Sequence, residues 1–309
     1  MTNEFEIISK FFSKLTKNNR GAFNLKDDIF FDFKTKLSIS VDTYNEPIHF
    51  LDFKKPDLII TKCLRASLSD LICKGVMPKY YFISASGNKK HFSISNLKKI
   101  SQALKYEQKK FSIKLSGGDT VFSNNLSFTF VVVGYSNKLP ILRSGSKLND
   151  DIYITNTIGD PYLGLYFIKK KLNTKMSKYF VNSYYKPNLP FNFSKKINLF
   201  ANASIDISDG LYQDLNHLFS NSNLTYSLDP HKIPISHNLK KYLINNNLKK
   251  NSLVKNGDDY QILFTANKKN RSLIQRIASK SQTLVTRVGV VKSGKLKIDP
   301  KKQGYIHKF

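Results

Sequence analysis

The sequence predicts an α/β (α+β) protein of two units, and three observations carry that prediction. Short apolar or alternating stretches near 37–41, 128–134, 151–155, 203–207 and 261–265 read as strands, with helical spacing between them. An apolar content of 40% is enough for a packed core, and low-complexity tracts are absent. At 309 residues the chain exceeds one ordinary domain, and the polar stretch SGSKLNDD (144–151) is the natural break. Units of 1–143 and 144–309 follow.

The start, MTNEFEIISKFFSKL, sets Ile8, Phe11, Phe12 and Leu15 on one side of a helix. It lacks the unbroken apolar region of a signal peptide, so a first helix packed on the core is expected. LSISVDT reads as a strand ending at Asp42 and Thr43, and ASLSDLICKG as a helix that carries Asp70 and stops at Gly75. In SIDISDGLYQDLNHL (204–218), Ile205 and Ile207 alternate with Asp206 and Ser208, as in a short strand. Gly210 permits a turn, and Leu211, Leu215 and Leu218 recur at helical spacing, with Ser208 or Asp209 near the N-cap. NGDDYQILF places Asp258 and Asp259 just before the last of these strands.

Charge and cysteine content narrow the class. Lys and Arg total 50 against 22 acidic residues, a formal charge of +28, yet the lysines are spread along the whole chain. Dispersed surface charge without zinc-finger or RNA-recognition spacing does not describe a nucleic-acid protein. No apolar run approaches the roughly 18 residues that span a bilayer, so no membrane association is expected. Cys63 and Cys73 flank a helical stretch without metal-ligand spacing, and two free thiols suit a reducing cytoplasm.

Against this basic background the aspartates are informative. They sit in short polar stretches: KDD (Asp27, Asp28), SVDT (Asp42), SLSD (Asp70), LSGGDT (Asp119), SIDISDG (Asp206, Asp209) and NGDD (Asp258, Asp259). Asp and Gly are also the ordinary residues of turns. Mg²⁺, however, takes short carboxylates together with substrate phosphates, and glycine lets backbone approach phosphate oxygens. Six such stretches favour a multi-metal phosphate site over a set of turns.

The common phosphate motifs are missing. Gly159 and Gly164 have Walker A separation, but Leu165 and Tyr166 follow in place of Lys and Ser/Thr. No Rossmann fingerprint, protein-kinase loop or HExxH pair is present.

The ordered series KDD, SVDT…HF, SLSDLICKG, GGDT, RSG, SIDISDG and NGDDYQ resembles thiamine-monophosphate kinase, from about residue 4 to the end. That family belongs to a superfamily with aminoimidazole-ribonucleotide synthetase and selenophosphate synthetase. The resemblance implies a two-domain PurM-like architecture: an N-terminal sheet domain that forms a dimer, and a C-terminal α/β domain. It implies ATP as co-substrate, several Mg²⁺ ions, and transfer of the γ-phosphoryl group to thiamine monophosphate. By position, Asp28, Ser40, Asp42, Asp70, Asp119 and Asp206 match magnesium ligands, Asp209 a further one, and Val41 a backbone carbonyl toward metal. Gly118, Arg143 and Ser208 match ATP contacts; His49, Asp258 and Tyr305 match contacts to the thiamine phosphate. Asp42, Asp119 and Asp206 would carry the catalytic charge, and Asp214 would be structural. The implied partners are ATP, thiamine monophosphate and a second copy, without nucleic acid or membrane, in the cytoplasm.

The chain departs from the family pattern at three places. Leu25-Lys26-Asp27-Asp28 stands for Gly-Asp-Asp, Asn256-Gly257-Asp258-Asp259 for Gly-Gly-Glu-Asp, and Thr155-Asn156 for Thr-Gly. Taken singly, His49 reads equally as a packed histidine, Arg143 as a solvated linker charge and Tyr305 as a docking aromatic. Asp27 reads as a cap or a lysine partner. Two other functions compete: a superfamily relative activating an amide or selenide with ATP, and a basic nucleic-acid binder on a decayed kinase fold.

Overall fold

Two five-stranded sheets organise the chain in a computed structural model that describes residues 4–220, 222–296 and 304–305. The first contains β1 (Phe30–Phe31), β2 (Leu37–Asn45), β3 (Met77–Gly87), β4 (Lys114–Phe122) and β5 (Ser127–Tyr135), in the order β1-β2-β5-β3-β4. Only β3 and β4 run parallel. The second contains β6 (Asp151–Thr155), β7 (Ala201–Asp206), β8 (Leu224–Leu228), β9 (Ile262–Ala266) and β10 (Val285–Ser293), all antiparallel, in the order β7-β9-β6-β10-β8.

Alternation decides how the first sheet is covered. Ser38 and Ser40 of β2, Phe128, Phe130 and Val132 of β5, and Tyr81 of β3 turn inward and are buried. The helices Pro56–Cys73 and Ile94–Phe111 complete this half. On the opposite face Val41 is 61% exposed and Phe82 36% exposed, each paired in register with Val131. That face is apolar and uncovered.

Helix Pro56–Cys73 is buried around almost its whole circumference. Proline at its first turn and Gly75 beyond its end (φ +71°) set its limits. A helix without a polar face must have protein on every side. Here the first sheet lies on one side; β7 and the segment Phe191–Ser194 lie on the other. Arg65 fixes a further link: its guanidinium donates to both Glu107 oxygens at 2.8 Å and to the Pro187 carbonyl at 3.0 Å. Tyr153 of β6, stacked on Phe264 of β9 at 5.0 Å, belongs to the core shared with that helix, while Ile152, Ile154, Ile205, Leu215 and Leu263 build a separate core of the second half.

Several expectations change. The strand expected to end at Asp42 continues to Asn45, because β5 pairs with it in unbroken register as far as Ser127. β1, β3, β4, β8 and β10 lie outside the expected strands. The segment from Glu4 to Thr16 is helical in short α, π and 3₁₀ turns, but it is not core-packed; Phe11, Phe12 and Leu15 are exposed and none of it is buried.

The Arg65–Glu107 pair is expected to dominate the stability of this junction. Glu107→Ala leaves a buried guanidinium uncompensated and should cost about 3–5 kcal/mol in chemical denaturation. A loss below about 1 kcal/mol, the range of surface pairs, would show that the second half does not depend on it.

Candidate active site

Three elements converge on an acidic floor. Asp42 shares the inward-facing register of Ser40 on β2; Asp70 faces that strand from helix Pro56–Cys73, where its Oδ2 accepts from Ser40 Oγ. One residue earlier on the helix, Ser69 reaches the other way and donates to Asp206 Oδ2 at the end of β7, at 2.5 Å. Adjacent residues of one helix thus hold a carboxylate of each sheet. Asp28, from the loop before β1, completes the group: Asp28, Asp70 and Asp206 bring oxygens within 4.8 Å of one another.

Asp209 overhangs this floor from the Ser-Asp-Gly turn. Gly210 has φ +117°, and a Cβ there would stand 2.1 Å from the Lys255 carbonyl. Neither Ser208 nor Asp209 caps the following helix, Leu211–Phe219. Asp214 does so by folding back from inside its first turn; its Oδ2 accepts from the amides of Asp209 and Gly210 at 3.2 and 3.1 Å. The turn is also tied to the NGDDY stretch: Asp258 N donates to Ser208 O and Tyr260 N to Ile207 O. A Cβ on Gly257 would lie 1.7 Å from the Ser208 carbonyl, so glycine is required there.

The electrostatics follow from crowding. Burial pushes Asp42 up to about 6, and Asp206 and Asp209 up to about 7, with neighbouring carboxylates adding to the shift. Asp70 is raised well above its ordinary value by the same causes. Burial acts on Asp28 too, but Arg143 and Lys74 outweigh it and hold Asp28 below the usual carboxylate range. Lys74 Nζ lies 2.7 Å from Asp28 and 3.0 Å from Asp27, and the Arg143 guanidinium also bonds Asp28. An all-oxygen donor set with unneutralised charge fits a hard divalent cation. Ser40 is within reach of that set, while the Val41 side chain points to the uncovered face.

The floor opens into a cleft of about 790 Å³ lined by these aspartates, Arg143, Ser208 and Tyr260. It runs on into a cavity of about 400 Å³ with aromatic walls, and both share Tyr44, His49, Ser208, Tyr260 and Tyr305. Asp258 sits there in an ion pair with Lys62 at 2.7 Å and accepts from Tyr260 Oη at 2.9 Å. Lys62 is buried, lies 4.1 Å over the Tyr184 ring and donates to the His49 carbonyl. His49 Nδ1 accepts from the Asn45 amide, which puts the proton of a neutral ring on Nε2. Tyr305 is anchored by its amide to the Asp209 carbonyl at 3.1 Å. Asp259 points away and accepts from Gly159 N at 2.7 Å, a structural contact.

Gly118 and Asp119 do not join this company within one chain. They lie on β4, an exposed edge strand separated from β2 by β5 and β3. Register puts Asp119 beside Ser84, Ser84 beside Thr129 and Thr129 beside Thr43. Thr43 faces the uncovered side, so Asp119 and Asp42 stand on opposite faces of the sheet. Lys62, Ser69, Lys74 and Tyr260 were not singled out from the sequence. The available signal was a polar residue inside the apolar runs LIITKCL and SDLICKG.

Raised carboxylates predict how pH and metal interact. A group whose folded pKa exceeds its unfolded value stabilises the fold at low pH, and that contribution is lost as pH rises through the folded value. For Asp42, Asp206 and Asp209 the loss begins near the ordinary value of 3.8 and is complete at about 6 for Asp42 and about 7 for Asp206 and Asp209 in metal-free protein. Mg²⁺ replaces the lost protons, so the rise in melting temperature on adding Mg²⁺ should grow across that window. A metal-induced shift that is constant with pH would contradict the arrangement.

Comparison with known proteins gives the family. Residues 26–136 match the family model described as AIR synthase related protein, N-terminal domain. A thiamine-monophosphate kinase of Buchnera aphidicola subsp. Acyrthosiphon pisum is 33% identical over 302 residues, covering 93% of this chain and 90% of that relative. A solved structure described as AaThiL complexed with AMPPCP and TMP superposes with a TM-score of 0.86 at 25% identity, over 99% of this chain and 97% of that one. The crystal structure of thiamine monophosphate kinase from Aquifex aeolicus gives 0.80 at 25% identity, over 94% and 97%. The chain therefore belongs to the thiamine-monophosphate kinase family.

Proposed function

We propose that the protein transfers the γ-phosphoryl group of ATP to the phosphate of thiamine monophosphate, yielding thiamine diphosphate and ADP. The observation that carries this is a single cleft with a carboxylate floor at one end and an aromatic, polar-tipped cavity at the other. A relative of the same fold in complex with AMPPCP and TMP supports the two-ligand reading.

Each end suits its ligand. Asp28, Asp42, Asp70, Asp206 and Asp209, with Ser40 and the Val41 carbonyl, would hold Mg²⁺. Bound there, Mg²⁺ ions supply the charge that lets two polyanions approach and align for in-line transfer. Arg143 and Ser208 line the floor where the triphosphate would lie. His49, Tyr305 and the Lys62–Asp258 pair line the acceptor's end. The acceptor phosphate has a second pKa of about 6, so it is already a nucleophilic dianion near neutral pH. The chain then needs no general base and no phosphoenzyme. Its residues bind, orient and exclude water.

A homodimer fits the misplaced pair. The uncovered face carries Val41, Val131 and Phe82, and β4 adds exposed Val121 on the same face as Asp119. Covering that face with a second copy buries apolar surface and brings a second β4 toward the cleft. We assign Gly118 and Asp119 to the site of the opposite subunit. The division at residues 1–143 and 144–309 and a cytoplasmic location remain part of this reading.

Purified protein given thiamine monophosphate, ATP and Mg²⁺ should form thiamine diphosphate and ADP, and chelation should abolish it. Failure to form thiamine diphosphate, with ADP released on another acceptor, would overturn the substrate.

Asp42→Asn and Asp119→Asn should each be inactive yet folded. When the two are mixed, refolded heterodimers have one intact site, so about a quarter of wild-type activity should return. No recovery would place Asp119 with its own chain's floor.

Asp258→Ala should raise the KM for thiamine monophosphate roughly tenfold, the loss of one charge-assisted contact. The KM for ATP should hardly change. Equal effects on both would remove Asp258 from the acceptor's end.

A further inference from the structure

Lys74 is the residue that none of the assigned roles uses. It follows the last residue of helix Pro56–Cys73, where a lysine ordinarily extends to solvent. Instead it is 0% exposed and turned beneath the acidic floor. An ammonium has three donors, and all three are spent: on Asp27 Oδ1 at 3.0 Å, Asp28 Oδ2 at 2.7 Å and the Ser204 carbonyl at 2.7 Å.

These partners belong to both halves of the chain. Asp27 and Asp28 precede β1, and Ser204 is on β7 two residues before Asp206. Lys74 therefore sets the spacing between Asp28 and Asp206. Local charge also closes: Asp27 and Asp28 are matched by Lys74 and Arg143, whose backbone amide bonds Asp27 at 2.7 Å. That leaves Asp42, Asp70, Asp206 and Asp209 without a side-chain cation in the salt bridges that involve described lysines and arginines.

We propose that Lys74 is a resident cation of the floor, a positioning residue that holds Asp27 and Asp28 in place and stands where a divalent ion would otherwise be needed. This rests on the reading of the floor as a Mg²⁺ site. Burying an ammonium is costly unless charged partners surround it, and its removal leaves two buried carboxylates facing one another. Methionine has a similar length and volume without the charge, and arginine keeps the charge.

The test counts Mn²⁺ bound per chain, from the free-ion electron paramagnetic resonance signal, with melting temperatures in EDTA and in Mg²⁺. Lys74→Met should bind one more Mn²⁺ per chain than wild type, melt lower in EDTA, and gain more from Mg²⁺. Lys74→Arg should keep the wild-type count. A wild-type count and Mg²⁺ response in Lys74→Met overturns the proposal. Wild-type protein that binds no Mn²⁺ overturns the metal reading instead. If Lys74→Met does not fold, the Lys74→Met/Asp28→Asn chain decides. Recovery of folding there supports charge compensation, and continued failure reduces Lys74 to packing and overturns it.

Discussion

A carboxylate cannot be withdrawn from water without a counter-charge, and this fold withdraws several into one place. Everything near the cleft follows from that constraint. Asp28 is answered by Lys74 and Arg143, Asp258 by Lys62, and Asp214 by two backbone amides. Asp42, Asp70, Asp206 and Asp209 form no ion pair with a lysine or arginine among the described residues, and burial with neighbouring carboxylates raises their pKa values. The imbalance is the functional feature. A fold could have satisfied these groups with lysines, as it does elsewhere, and under the proposed function an external cation and its phosphates would take that place.

Helix Pro56–Cys73 makes the imbalance possible. Because it is enclosed around almost its whole circumference, most of its polar residues cannot turn to solvent and find partners inside. Lys62 goes to the aromatic cavity, Ser69 and Asp70 to the floor, and Lys74 underneath it. One rigid element thereby fixes both ends of the cleft relative to each other. Geometry of that kind matters for phosphoryl transfer, where little covalent work falls to the protein and positioning supplies most of the rate.

Much of this was legible in the sequence, unevenly and for physical reasons. Strands at 151–155 and around 203–207 stood out because their apolar side chains are buried in a dense second sheet. β4 did not, because KLSGGDTVF is exposed at every position and shows no burial alternation; its glycine pair reads as a turn. β3 was hidden by Pro78 and by the irregular register beside it. The clustered aspartates were visible because acidic residues are scarce in a chain of charge +28. The same abundance concealed Lys62 and Lys74, since one buried lysine among so many cannot be told from a solvated one without its neighbours.

The most direct measurement is anomalous scattering from Mn²⁺ in a crystal grown with thiamine monophosphate and a non-hydrolysable ATP analogue. The account predicts metal peaks among Asp28, Asp42, Asp70, Asp206 and Asp209, lying between the nucleotide phosphates and the acceptor phosphate, with Lys74 still closed on Asp27 and Asp28. Phosphates bound in the cleft with no metal between them and these aspartates would contradict it.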